Sequence, residues 1–464
     1  MVELNRDVLY LILKKLQDNK KALYSCLFVS KIWCEIIIPL LWKHPWKDLR
    51  IENEKKLSNI IISHLPDNSM SNLIQQKNIS CQKPLFDYIS FCKHLDLCEI
   101  KRITYFITDK KDEVPIVMNE ILKLFINENR IFTHLYVPYK FDHQIHLIPG
   151  AKHCFSELRF LYCNSNLNDN ILIGLMKIGK SIKELEFLID NVNYGLVKLI
   201  ETSKDLSRIH LKTSFFSKID ESFCKHLESS LKLHSKNIKY FKSDKPPVTD
   251  ILSSFVNLEV LELHNIHDIF NTNLWVNSSL PFLQIIKTKR IPIKALANLI
   301  ENTNGNLFEI NIEDTNYGDI DNRLLIKAIQ KNCPKLKYLK LLIKYNSILD
   351  LEELLINCKY LKGLFLLFNS QDVFDNQKNI DILFKILAKS SPTSLFKFKF
   401  YLKFTFILKF NLKLLFDDWK GRNPMLLQAI PSNSTLYIDL LEKYKAEGII
   451  KTYDNILVFE DFDW

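Results

Sequence analysis

The sequence predicts an α/β fold in which a short three-helix module precedes a long curved solenoid with a parallel inner sheet and outer helices. From residue 132 onward, a strand-like motif with apolar residues at its first, fourth and sixth positions recurs about every 26 residues. Between these motifs, apolar residues lie three and four apart, which is the spacing of one helix face. A strand and a helix repeated at a steady interval favour a solenoid, because each unit packs on its neighbours.

Residues 1–46 predict three short helices. Apolar residues four apart place one stripe along the first helix: Leu4, Val8, Ile12 and Leu16. Asn5 is its predicted N-cap, the second helix carries Leu23 and Leu27, and the third runs from Trp33 to Pro39. So small a unit has a marginal core, and the surplus apolar surface predicts a partner.

Two short elements of this module carry a family resemblance. Val-Ser-Lys-Ile-Trp at 29–33 and Leu-Leu-Trp at 40–42 have the spacing of the F-box motif, which the segment resembles, although Asn5 stands where the family usually has proline. The resemblance implies binding to a Skp-type adaptor, and through it to a cullin, by six residues: Leu4, Val8, Ile12, Leu16, Val29 and Trp33. The alternative is that these residues only form the core of the module itself.

The mean spacing of about 26 residues lies within the 20–29-residue period of leucine-rich repeats, although single steps are longer. Their predicted central residues are Leu135, Leu161, Leu185, Ile209, Phe241, Leu261, Ile286, Ile310, Leu339, Leu364 and Phe398. The units around Cys333 and Cys358 resemble the cysteine-containing repeats often found behind an F-box. An unrelated α/β domain is the alternative, but it would need more glycine-rich turns than 9 glycines supply.

These patterns divide the chain into four predicted parts. The F-box covers 1–46, a linker with degenerate first repeats 47–131, the repeat solenoid 132–420 and a C-terminal cap 421–464. Within the second part, Leu95, Cys98 and Ile100 match a degenerate strand motif, and residues 66–84 predict a loop.

Side chains alternate along a strand, so the polar and aromatic residues between the apolar ones are expected on the concave face. The predicted partner-binding residues there are Tyr162, Glu262, Tyr338, Lys340, Phe365, Lys397 and Lys399. Mixed charge with aromatic residues is typical of a protein-binding face, whereas a nucleic-acid groove is more uniformly basic. The net charge of +10 is spread along the chain, and we therefore expect no nucleic-acid partner.

No motif predicts catalysis, a metal or a cofactor. Gly174 to Ser181 matches a phosphate-binding loop in letters, but a helix pattern precedes it and a strand follows, the reverse of the order that such a loop needs. We expect a helix-to-strand turn there, with Gly179 as a left-handed cap. The pairs His143/His146 and His264/His267 lack cysteines at finger spacing, so they are expected to be ordinary surface or core histidines.

The chain lacks the features of secreted and membrane proteins. No signal-peptide pattern begins it, lysines interrupt the apolar residues of 395–416, and the 10 cysteines include no CxxC pair. A cytoplasmic or nuclear location without membrane contact is expected. The resulting hypothesis is a non-catalytic substrate-recognition subunit of a Skp–cullin–F-box ubiquitin ligase. The alternative is a repeat scaffold for protein–protein interaction outside any ligase.

Overall fold

The computed structural model describes residues 5–47, 49–66, 83–264, 278–313, 317–368, 377–401, 406–430 and 435–454. These residues form two compact units. The first comprises residues 1–206 with 216–219, and the second comprises 207–215 with 220–464.

Three helices open the first unit: α1 (Arg6–Lys15), α2 (Lys20–Cys26) and α3 (Lys31–Trp42). Each begins at a polar side chain, Asn5, Asn19 or Ser30, that accepts a backbone N–H of the first turn. The prediction that the third helix ends at Pro39 is wrong, because α3 continues to Trp42. Proline removes one backbone donor, but Leu40 and Leu41 pack against the module core and hold the helix together.

The rest of the first unit alternates helices and parallel strands. In chain order these are α4 (Ile51–Ile62), β1 (His94–Asp96), α5 (Leu97–Ile107), α6 (Val114–Phe125), β2 (His134–Tyr136), α7 (Ala151–Cys154), β3 (Phe160–Asn164), α8 (Asp169–Ile178), β4 (Glu184–Asn191) and α9 (Tyr194–Thr202). Single 3₁₀ turns lie at Tyr88–Phe91 and Ile145–Leu147. Strands β1 to β4 pair in sequence order, all in parallel.

The second unit continues the alternation from β5 (Arg208–Lys218), whose last residues belong to the first unit. It contains α10 (Glu221–Lys232), β6 (Tyr240–Ser243), α11 (Ile251–Ser254), β7 (Val260–His264), β8 (Ile285–Lys289), α12 (Ile293–Glu301), β9 (Glu309–Ile312), α13 (Asp319–Asn332), β10 (Tyr338–Leu342), α14 (Ile348–Asn357), β11 (Gly363–Leu367), α15 (Gln377–Ser390), β12 (Lys397–Tyr401), α16 (Phe406–Asp418), β13 (Met425–Ile430), α17 (Thr435–Ala446) and β14 (Ile450–Asp454). A 3₁₀ turn lies at Tyr345–Ser347. Strands β5 to β14 are again parallel neighbours in sequence order.

The strand register confirms the predicted repeat. Within each unit, the central apolar residues of successive motifs are paired, as Leu135 is with Leu161 and Leu339 with Leu364. The central residues of the eleven motifs are all at most 1% exposed. Burying one such leucine contributes about 1.5–3 kcal/mol, so the ladder is a main source of stability in both units. The architecture is a leucine-rich-repeat-like α/β array.

The array extends beyond the motifs that predicted it. Strands β13 and β14 lie in the segment expected to be the C-terminal cap, and β1 lies in the segment of degenerate repeats. Only Leu95 of the predicted first motif is in a strand, because Asp96 ends β1 by accepting the backbone N–H groups of Cys98 and Glu99 and starting α5. Most of the loop predicted at 66–84 lies outside the described residues.

Candidate functional site

The N-terminal module buries one face of α1 and exposes another. Leu9 and Leu13 form its core with Leu23, Ile36 and Ile37. The stripe predicted to bind the adaptor lies on the other face, where the side chains of Val8 and Ile12 are 44% and 47% exposed. The core and the exposed stripe therefore use different residues of the same helix.

The remaining predicted adaptor residues divide by exposure. Val29, in the turn between α2 and α3, is 58% exposed, whereas Leu16 and Trp33 are half-buried against the module core. Leu4 lies outside the described residues. Leu11 and Phe28, which were not among the predicted residues, are also exposed, at 61% and 92%. Their positions, three residues after Val8 and next to Val29, were the available signal.

A cleft of about 1180 Å³ lies among α2, α3 and α4. Leu41 and Trp42 are among the apolar residues on its walls. Its basic lining residues are Lys20, Lys21, Lys47, Arg50 and Lys56, with Asp18 as the carboxylate among the described lining residues. An apolar surface beside positive charge suits an amphipathic partner segment with an acidic face.

The segment after α3 joins the module to the first strand. The backbone N–H of Lys93 donates to the carbonyl of Lys43 at 2.9 Å, and the indole N–H of Trp46 donates to the carbonyl of His94 at 2.8 Å. The rings of Trp42 and Tyr88 lie 4.7 Å apart, and those of His44 and His94 are stacked at 4.1 Å. These contacts hold the N-terminal module against β1 and the residues just before it.

The stacked histidines His94 and His134 have depressed pKa values. Burial, and then the nearby charges of His134 and His44, lowers the pKa of His94 to about 2. Burial, and then the charges of Lys43 and Arg159, lowers the pKa of His134 to about 4. Both imidazoles are therefore neutral near pH 7, and they can stack without charge repulsion.

The predicted concave-face residues have unequal access to solvent. Tyr162, Glu262, Tyr338 and Lys397 are half-buried. The expectation of accessible side chains needs correction at three positions: Lys340, Phe365 and Lys399 are only 1%, 3% and 3% exposed. Their assignment to partner binding remains a prediction.

Contacts across strands account for part of this burial. The ammonium of Lys340 lies 2.9 Å from Glu313 Oε1 and 4.9 Å from the centroid of the Phe365 ring. The Lys399 ammonium lies 5.8 Å from the same centroid. Lys340, Phe365 and Lys399 are consecutive partners in the strand register, so two lysines flank one ring.

The segment from Gly174 to Ser181 lacks the geometry of a phosphate-binding loop. Gly174 lies inside α8, and the backbone N–H of Gly179 donates to the Leu175 carbonyl at 2.8 Å. The expected left-handed cap is wrong, because φ at Gly179 is −96°. Glycine is needed there for space, since a Cβ would lie only 2.8 Å from the backbone carbonyl oxygen of Leu175. The backbone N–H of Gly179 therefore caps the end of α8 and is not directed at a phosphate.

The other polar groups described have structural surroundings. No group of three or more His, Cys, Asp or Glu that could hold a metal occurs within the described ranges. His264 lies 3.2 Å from Asp244, and His267 lies outside those ranges. Burial raises the pKa of Cys92, Cys154 and Cys358 to about 12, so these thiols stay protonated. No helix in the described part of the chain is long and apolar enough to span a bilayer.

Comparisons with known proteins add little to this geometry. No protein-family model matches the chain, and no curated protein matches it. A solved leucine-rich-repeat-containing protein from Legionella pneumophila is 13% identical, with a TM-score of 0.32 over 61% of this chain and 90% of that one. A similarity this low carries no argument, so the repeat architecture rests on the strand register itself.

Proposed function

We propose that the chain is a substrate-recognition subunit of a Skp–cullin–F-box ubiquitin ligase, working in the cytoplasm or nucleus. In this proposal the N-terminal module binds a Skp-type adaptor, and through it a cullin, while the repeat sheet holds a target protein. One observation carries the proposal: Val8, Ile12 and Val29, placed as in an F-box, are exposed although the module has a separate core.

Exposed aliphatic side chains on so small a module favour a partner because covering them is a source of binding energy. Each well-buried anchor at a protein interface typically costs about 2 kcal/mol or more when truncated. The basic cleft beside α2 and α3 supports an adaptor segment that is both apolar and acidic.

The proposed contribution of this chain is positional. It makes and breaks no bond, and it uses no cofactor. It holds a target beside the ubiquitin-carrying enzyme and so raises the effective concentration of the target. Tyr338 and Lys397 are proposed contacts for the target because their side chains are partly exposed on β10 and β12, the strands on either side of β11.

The test is adaptor binding by the full chain, measured by calorimetry with a purified Skp-type adaptor. Val8→Asp with Ile12→Asp should weaken binding by about 100-fold or more, because two charges would enter an apolar interface. Ile116→Asp with Ile173→Asp is the matched control, since these isoleucines are 62% and 46% exposed on α6 and α8. Wild-type affinity in the first variant would reject the ligase assignment.

A repeat scaffold outside any ligase is the second candidate, and Asn5 at the usual proline position favours it. It predicts that the full chain neither binds the adaptor nor supports ubiquitin transfer in a reconstituted ligase. It also predicts that Tyr338→Ala with Lys397→Ala still impairs partner binding. Ligase activity in the reconstituted complex would eliminate this candidate.

A further inference from the structure

Four turns of the second unit together line an open cavity of about 730 Å³. These turns lead into β8, β9, β10 and β11, and each enters its strand through a fully buried leucine. Residues immediately before or after those leucines line the cavity: Phe282, Gln284, Asn306, Phe308, Lys335, Lys337 and Tyr360. We call these seven residues the turn groove.

Aromatic residues stand at both ends of the turn groove. Phe282, before β8, is 55% exposed, and Tyr360, before β11, is 62% exposed. Neighbouring strands lie about 4.8 Å apart, so three strand steps separate the two rings by roughly 14 Å. Two large apolar side chains left open at this distance provide a pair of anchoring points.

The middle of the turn groove is cationic. The Lys335 ammonium donates to Asn306 Oδ1 at 2.8 Å, and the Asn306 amide donates to the Pro281 carbonyl at 3.0 Å. The Lys337 ammonium lies 5.5 Å from the centroid of the Phe308 ring. No carboxylate is among the described residues that line the cavity. Each ammonium has three donors, so both lysines can bind an anionic ligand in addition to these contacts.

We infer that the turn groove binds an extended peptide segment of another protein, with carboxylate side chains between two apolar residues. An extended chain advances about 3.3 Å per residue, so four residues span the distance from Phe282 to Tyr360. The apolar residues of the segment would therefore stand at positions i and i+4. The ammonium groups of Lys335 and Lys337 bind the carboxylates between them, and the amide of Gln284 is available to the peptide backbone.

Charge along the same edge favours a peptide over a single-stranded nucleic acid. At the turn into β7, the position corresponding to Gln284 is Glu259, whose carboxylate lies 2.8 Å from the Lys239 ammonium. A nucleic acid binds through a groove that stays positive along its backbone. Glu259 interrupts such a track on one side, whereas a five-residue segment fits between Phe282 and Tyr360.

This site is independent of the proposed ligase function, because the N-terminal module contributes none of its residues. The probe is a panel of labelled pentapeptides with Leu, Phe or Trp at both ends and Asp or Glu at the three middle positions. Binding to the full chain is measured by fluorescence anisotropy, with oligouridylate and the matching Asn/Gln peptides as competitors.

Lys335→Glu with Lys337→Glu should weaken binding of the acidic peptides by about tenfold or more. The same variant should gain binding to peptides with lysine at the middle positions, which a merely unfolded protein could not do. Lys152→Glu with Lys198→Glu is the matched control, since both lysines are exposed in the first unit. Equal binding of acidic and Asn/Gln peptides, or stronger binding of oligouridylate, overturns the inference.

Discussion

His94 and His134 stack face to face on neighbouring strands, with ring centroids 3.8 Å apart and planes 17° from parallel. His44 extends the stack from the segment that joins the N-terminal module to β1. Since the pKa values of His94 and His134 are about 2 and about 4, the stack is built from neutral rings. We therefore expect protonation of these rings in acid to weaken the attachment of the module.

The first prediction concerns acid stability. The pKa of His134 in the folded chain is below the 6.5 of an unfolded histidine, so the unfolded chain binds more protons between these values. The contribution of His134 to stability is present above pH 6.5 and is lost as pH falls toward 4. We therefore expect the free energy of unfolding, measured in urea, to fall less between pH 7.5 and pH 5 in His134→Phe than in the wild type.

Comparing variants separates the effect of His134 from that of the Asp96 carboxyl group, which changes stability with pH in the opposite direction. Burial raises the pKa of Asp96 to about 6, so Asp96 stabilises the folded chain as pH falls. That contribution is common to the wild type and His134→Phe. His153→Phe, at an exposed position on α7, is the control. An unchanged pH dependence in His134→Phe would contradict the prediction.

The second prediction concerns the pair of Lys340 and Glu313. Burial raises the Glu313 pKa, but the hydrogen bonds and positive charges of Lys340 and Lys289 together outweigh burial and lower it. Glu313→Ala should cost about 2 kcal/mol of unfolding free energy, because it removes a carboxylate partner of a buried ammonium. Lys340→Met should cost less, since the side chain of Glu313 is 34% exposed. Denaturant unfolding of both variants measures the two losses of unfolding free energy. A larger loss in Lys340→Met than in Glu313→Ala would refute this account.

The third prediction tests the repeat ladder. Leu339, the fully buried central residue of its repeat motif in β10, pairs with Ile310 and Leu364. Leu339→Ala should lower the unfolding free energy by about 2–5 kcal/mol through lost burial and a cavity. Leu349→Ala, at a position 69% exposed on α14, should change it by less than about 0.5 kcal/mol. Equal effects in thermal unfolding would show that the ladder does not carry the stability.

The repeat could be predicted because the core of a parallel array is local in sequence. Each central residue lies in a motif of six positions with apolar residues at fixed places, and packing repeats that motif. β13 was not predicted because Pro424 and Ala429 occupy the first and sixth positions of the motif around Leu427, where larger apolar residues usually stand. Helix periodicity placed Val8 and Ile12 on one face of α1, and the surplus apolar surface of so small a module predicted that this face would be exposed.

The rest of the site could not be predicted because it depends on neighbours distant in sequence. Strand alternation indicates the side on which Lys340 and Phe365 lie, but their burial is set by residues of other repeats. The turn groove draws one or two residues from each of four turns, so no single segment contains a motif for it. Such sites emerge only when the repeats are aligned in space.

The contacts of Lys43 and Trp46 with β1 have a consequence for any shortened form of the protein. β1 is the first strand of its sheet, and an uncovered terminal strand offers unpaired backbone groups to strands of other molecules. The segment that follows α3 occupies part of that edge through Lys93 and His94. Removing the first 46 residues would therefore expose β1 as an edge strand that can pair with strands of other molecules. A loss of function after this truncation would reflect aggregation as well as the loss of the proposed adaptor contact.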